Sequence, residues 1–205
     1  MADETGLICA YRFDGRGGGE ALGWETLPDA ADAANTWVHI HMDDERAQNW
    51  LRDESGIPAV AAEALLYDET RPRCTSIGDG LLLNLRGVNM NPGADPEDMV
   101  SIRLYLDKDR IISARRRKLA TIADMRDRLD AGNGPRNSGD FLLDVTSHLL
   151  DRMGPIIADL DDAIDALTDT GRADMIRIQR LKKKKLALKD KIAKVENALL
   201  PDIIA

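Results

Sequence analysis

The chain has 205 residues, enough for one large domain with its own core or a domain with an appendage, and its formal net charge is -8. That acidic balance, with aromatic residues at only 4%, argues against general nucleic-acid binding and is compatible with attraction of cations. No uninterrupted apolar run approaches the roughly 20 residues that cross a bilayer. No charged-then-apolar leader is present, and Cys9 and Cys74 lie far apart without a CxxC partner, so a reducing cytoplasmic setting fits best and a disulfide framework or zinc knuckle does not.

Taken in chain order, Leu7 to Phe13 alternates and is rich in strand formers, Gly15 to Gly19 reads as a flexible turn, and Thr36 to His41 is a second strand, with a shorter one expected near Leu22 to Trp24. Asp43 or Asp44 caps a helix through about Glu54, with Trp50 and Leu51 as its apolar contacts, and Pro58 opens the next helix through about Tyr67. Strands return at Leu81 to Val88, Met99 to Leu106 and Arg110 to Ser113, separated by turn-forming residues as in neighbouring antiparallel strands. From Lys118 the period becomes helical, with Leu119, Ile122, Met125 and Leu129 in phase and an end near Gly132.

After a linker from Asn133 to Gly139, Ser138 or Asp140 caps a long helix with the apolar stripe Leu142, Val145, Leu149, Met153, Ile156, Leu160, Ile164 and Leu167. Thr170-Gly171-Arg172 reads as a tight turn. Ile178, Leu181, Leu188, Ile192, Val195 and Leu199 then follow a heptad interrupted by Lys185, the signature of a helical hairpin. The expected fold is therefore α/β, a mixed β-sheet flanked by helices in an α/β/α sandwich, with a long C-terminal helical stalk. Its expected division is a body at 1–135 and a hairpin or stalk at 136–205. Basic residues are almost all arginine up to Arg180 and all lysine from Leu181 onward. A solvated helix surface and a grafted or engineered terminal segment both account for that switch.

Two constellations suit metal ions. His39 and His41, two apart on a strand, point the same way, and Asp43 and Asp44 follow; imidazole with carboxylate suits zinc, although the position reads first as a feature of the fold. On the hairpin, Asp162, Asp165 and Asp169 share a helical face within a run that includes Asp151, Asp159, Asp161 and Asp174. Hard divalent ions favour such oxygen ligands, and a solvated face opposite the apolar stripe has the same composition. Arg115-Arg116-Arg117-Lys118 is the main basic run before the terminal helix; it can receive phosphate, pair with the acidic hairpin or simply be solvated. Lys182 to Lys185 reads as a helix surface that would attract anionic headgroups if held near a membrane.

Enzyme signatures are missing. Gly15-Arg16-Gly17-Gly18-Gly19 lacks both a phosphate-loop ending and dinucleotide spacing, and there is no GxSxG, HExxH or paired CxxC. Asp95-Pro96-Glu97-Asp98 reads as a turn rather than an acid/base pair.

The stretch from Glu69 to Arg117, with Glu-Thr-Arg-Pro-Arg, Asp-Gly-Leu-Leu-Leu-Asn-Leu-Arg-Gly-Val-Asn, Pro-Glu-Asp-Met-Val-Ser-Ile-Arg and Ile-Ile-Ser-Ala-Arg-Arg-Arg, resembles the cytoplasmic domain of CorA-type metal-ion transporters, in particular the ZntB zinc-transporter branch. The likeness extends more loosely from about Gly6 to about Arg180. It implies a non-enzymatic domain at the cytoplasmic face of the inner or plasma membrane, forming the vestibule of a homopentamer and coupling rearrangement to the pore. Zn2+ is then the transported ion, with a possible regulatory divalent cation, no required cofactor and no nucleic-acid partner. In that family two transmembrane helices follow the stalk, with Gly-Met-Asn at the pore mouth; this chain contains neither, so its contact with the membrane would run through an absent C-terminal segment. A freestanding soluble metal-responsive or scaffold protein is the alternative.

Overall fold

The computed structural model describes residues 6–29, 32–68, 71–95, 98–108, 110–169 and 175–199. Strands β1 (Leu7–Phe13), β2 (Gly19–Leu22), β3 (Thr36–His41), β4 (Arg73–Ile77), β5 (Gly80–Gly87), β6 (Val100–Leu106) and β7 (Arg110–Arg115) form one sheet in the order β2-β1-β3-β7-β6-β5-β4. β3 and β7 run parallel, with Val38 opposite Ile112, and every other neighbouring pair is antiparallel. The mixed sheet expected from the sequence is therefore present.

Side-chain alternation gives the sheet two apolar faces. Val38 and Ile40 of β3, with Ile112 and Ala114 of β7, pack under helices α1 (Glu45–Asn49) and α2 (Ala59–Leu66) through Ala47, Trp50, Leu51 and Leu65. Trp37, Ile111, Ile102, Leu104 and Leu85 face the other way, onto helices α3 (Ala120–Asp130) and α4 (Ser138–Asp151) through Met125, Leu129, Phe141 and Leu149. Trp37 and Phe141 are fully buried with ring centroids 4.8 Å apart. α4 reaches this depth because β5 ends in Gly87: a Cβ there would stand 2.5 Å from Leu149 Cδ2.

Local chemistry explains where the elements stop and where expectation and structure part. Asp44 caps α1, accepting from the Ala47 N–H at 2.9 Å, and the helix runs on through a π-helical turn at Trp50–Glu54. The strand expected at Leu22 to Trp24 ends at Leu22. Trp24–Thr26 is a 3-10 turn, closed by Thr26 N–H to Gly23 O at 3.0 Å, and it sets the Trp24 ring against Trp50. β4 is an edge strand that the alternation did not single out. α4 is capped by neither Ser138 nor Asp140 but by Asn137, whose side chain accepts from the Asp140 N–H at 2.9 Å.

The expected single long helix is two: α4 ends at Asp151, and α5 (Met153–Asp169) starts beyond Arg152. Pro155 is the physical cause. It has no N–H for the Asp151 carbonyl, and the break leaves it in the first turn of α5, where no partner is needed. Helix α6 (Met175–Leu199), about 37 Å long at 1.5 Å per residue, packs along α5. The base of this hairpin rests on the sheet's end, where Met153 is fully buried with Val88 and Met99, and Ile156 and Ile192 cover them. Lys184 adds an ion pair to Asp95 at 3.2 Å. The turn expected at Thr170-Gly171-Arg172 lies outside the described residues. Among the described residues no helix is long and apolar enough to cross a membrane.

Candidate functional site

His39 lies in the middle of the sheet, fully buried beneath the rings that bind α4. Arg115 Nε donates to its Nε2 at 3.2 Å, which leaves the proton on Nδ1, 2.7 Å from Ser113 Oγ. Ser113 Oγ also accepts from Trp37 Nε1 at 2.8 Å and donates to the Val38 carbonyl at 3.4 Å. Burial, reinforced by the Arg115 charge, holds the imidazole well below its ordinary value, so it is neutral. Both ring nitrogens are engaged by protein partners. Cys9, opposite His39 on β1, is likewise buried, and its thiol is pushed up to about 12 by desolvation.

His41 lies at the strand's end, half-buried, with Nδ1 accepting from the Asp43 N–H at 3.3 Å. The adjacent carboxylates separate: Asp44 is the α1 cap, and Asp43 faces Arg116. On α5, Asp162 and Asp165 are exposed, Asp161 is ion-paired to Lys185 across the hairpin, and the side chain of Asp169 and all of Asp174 lie outside the described residues. Among the described residues, no three His, Cys, Asp or Glu side chains converge on one point that could hold a metal ion.

The basic run 115–118 is split by strand alternation. Arg115 turns inward to His39, whereas Arg116 turns to the α2 side, donating to Asp43 Oδ2 and to Asp68 Oδ1, each at 2.8 Å. Next to it, Arg103 is only 4% exposed; its Nε donates to the Tyr67 carbonyl at 3.0 Å and its Nη1 to Met42 Sδ at 3.3 Å. Burial lowers the proton affinity of that guanidinium, and the Asp68 carboxylate partly offsets it. Together with Arg117 and Ser101 these side chains line a cleft of about 200 Å3. Sequence reading found Arg115 to Arg117 but not this cleft. The available signal was an arginine between Ile102 and Leu104 on an otherwise apolar strand.

Comparison with known proteins gives a consistent set of relatives. The sequence pattern of the family described as CorA-like Mg2+ transporter protein matches residues 32–204. The chain is 41% identical over 175 residues to the divalent cation transporter CmaX of Pseudomonas aeruginosa, covering 84% of this chain and 53% of that protein. It is 35% identical over 164 residues to the zinc transport protein ZntB of Yersinia enterocolitica, covering 79% and 49%. The chain thus spans about half the length of the curated relatives it matches. Among solved structures, full-length CmaX superposes with a TM-score of 0.78 at 30% identity, over 96% of this chain and 74% of that one. The ZntB cytoplasmic domain of Vibrio parahaemolyticus shares the fold, with a TM-score of 0.67 at 19% identity over 95% and 96% of the two chains.

Proposed function

Since this chain belongs to the family of CorA-like Mg2+ transporter proteins, we propose that it is the cytoplasmic domain of a divalent-cation transporter that carries Zn2+. The single observation that carries this reading is the joint match of sheet and hairpin to full-length CmaX over 96% of the chain. In this reading the body is 1–135 and the stalk 136–205, with α4 as the root bonded to the sheet, α5 and α6 as a hairpin based on the body, and the membrane segment following α6. Five copies surround one ion path, form its intracellular vestibule and pass rearrangements of the body to the pore through the stalk.

The chain's role in this reading is electrostatic and mechanical, with no catalysis and no resident cofactor. Asp162, Asp165 and Asp169, one helical face of α5, supply the carboxylates that concentrate divalent cations. His41 sits at the rim of the sheet, and His39 holds the strands beneath it.

Reading the natural gene past the codon for Ala205 tests the assignment. Two apolar stretches of about 20 residues each, with Gly-Met-Asn or a close relative between them, are expected. A stop codon there would overturn it in favour of a freestanding metal-responsive or scaffold protein. In vesicles holding the complete protein, replacing Asp162, Asp165 and Asp169 by Asn should slow Zn2+ uptake, most at low ionic strength. Uptake unchanged at every salt concentration would remove these carboxylates from the ion's path.

A further inference from the structure

The sheet face under α1 and α2 is apolar along β1, β3 and β7 and turns basic towards β4. Strand register sets Arg73, Asn84 and Arg103 side by side across β4, β5 and β6, in the same row as the apolar Ala114 of β7. The next row on this face pairs Arg86 with Ser101, and Arg116 follows one residue beyond the Ile102–Arg115 pair. Against these arginines and Arg117 stand the carboxylates of Asp43 and Asp68, in a chain whose net charge is -8.

Burying guanidinium groups is costly unless acceptors compensate them. Here Arg103 is 4% exposed with Asp68 at 3.9 Å, and the Nε atoms of Arg73 and Arg86 are buried with no hydrogen-bond partner among the described residues. Beside Arg103 opens the cleft of about 200 Å3, with Arg116, Arg117, Ser101 and Asp68 also in its lining.

We propose that this cleft binds a phosphoryl dianion, as free phosphate or as the terminal group of a small phosphorylated metabolite, with Asp68 as its built-in competitor. A tetrahedral group with several acceptor oxygens suits converging guanidinium forks and a serine hydroxyl. Asp68 is 70% exposed and rests on Arg116, so it can swing out to solvent, and a doubly charged ligand outcompetes its single charge. The cleft is smaller than the roughly 300–1,000 Å3 of pockets that enclose whole drug-sized ligands, so it takes the phosphoryl end and leaves the remainder outside.

Calorimetric titration of the protein with sodium phosphate at constant ionic strength, and in parallel with a sugar phosphate, tests this. Saturable one-to-one binding is expected, roughly tenfold weaker in the Arg117→Gln variant and roughly threefold tighter in Asp68→Asn. Arg117 and Asp68 are both exposed, so these changes leave the core intact. Tighter binding of the sugar phosphate would assign the site to a metabolite, and equal or weaker binding would assign it to free phosphate. Absence of saturable heat, affinity identical in all three proteins, or displacement by equimolar chloride would overturn the proposal.

Discussion

His39 shows how a residue's role is set by partners remote in sequence. Its depressed proton affinity has a definite sign of effect: below its ordinary value of about 6.5 the unfolded chain takes up a proton that the folded chain refuses. Stability is therefore full above about pH 6.5 and falls as pH drops, by up to about 1.4 kcal/mol per unit, until the folded-state value is reached. Urea unfolding at a series of pH values should show that slope in the native protein and its reduction in His39→Gln. Equal slopes would mean that the ring is charged inside the fold. The sequence placed His39 and His41 on one strand face, and that geometry is general to strands. What it hid were Ser113 and Arg115, 74 and 76 positions on, which occupy the very nitrogens that a metal would use.

At the scale of elements, α4 is the piece whose parts can be weighed against each other. Removing its cap with Asn137→Ala should cost about 1 kcal/mol. Emptying its fully buried ring site with Phe141→Ala should cost about 3–5 kcal/mol. Chemical denaturation that ranked the two the other way would show that α4 is held by its end rather than its face. The expected elements were largely correct because the strand-forming runs of β1, β3, β5, β6 and β7, bounded by turn residues, and the helical period of α3 are strong, local signals. β4 was missed because an edge strand with mostly exposed side chains shows no apolar alternation. The break before α5 was written in Pro155, yet the apolar stripe runs through it in phase and suggests continuity. The arginine cleft was illegible for a different reason, since only the register of β6 against β7, with Asp68 just past α2, brings its members together.

For the whole molecule, the attachment of the hairpin to the body decides how motion could pass between them. The Lys184–Asp95 pair is partly exposed, and such pairs contribute about 0.2–1 kcal/mol, whereas truncating a fully buried methionine costs about 2–5 kcal/mol. Met153→Ala should therefore speed hydrogen exchange along α6 much more than Lys184→Gln does. The opposite ranking would make the joint electrostatic and salt-sensitive. The sheet itself has one further property, in its single parallel seam. β2, β1 and β3 are made first, and β4 to β7 form a meander of sequential antiparallel hairpins that can pair as each strand emerges. Only β7, the last strand, can satisfy the inner edge of β3, and it does so by closing a long loop. On the ribosome, β3 accordingly waits with an open edge of Trp37, Val38 and Ile40 until nearly the whole body has been synthesised, which makes this edge the point at which the nascent chain most depends on protection from aggregation.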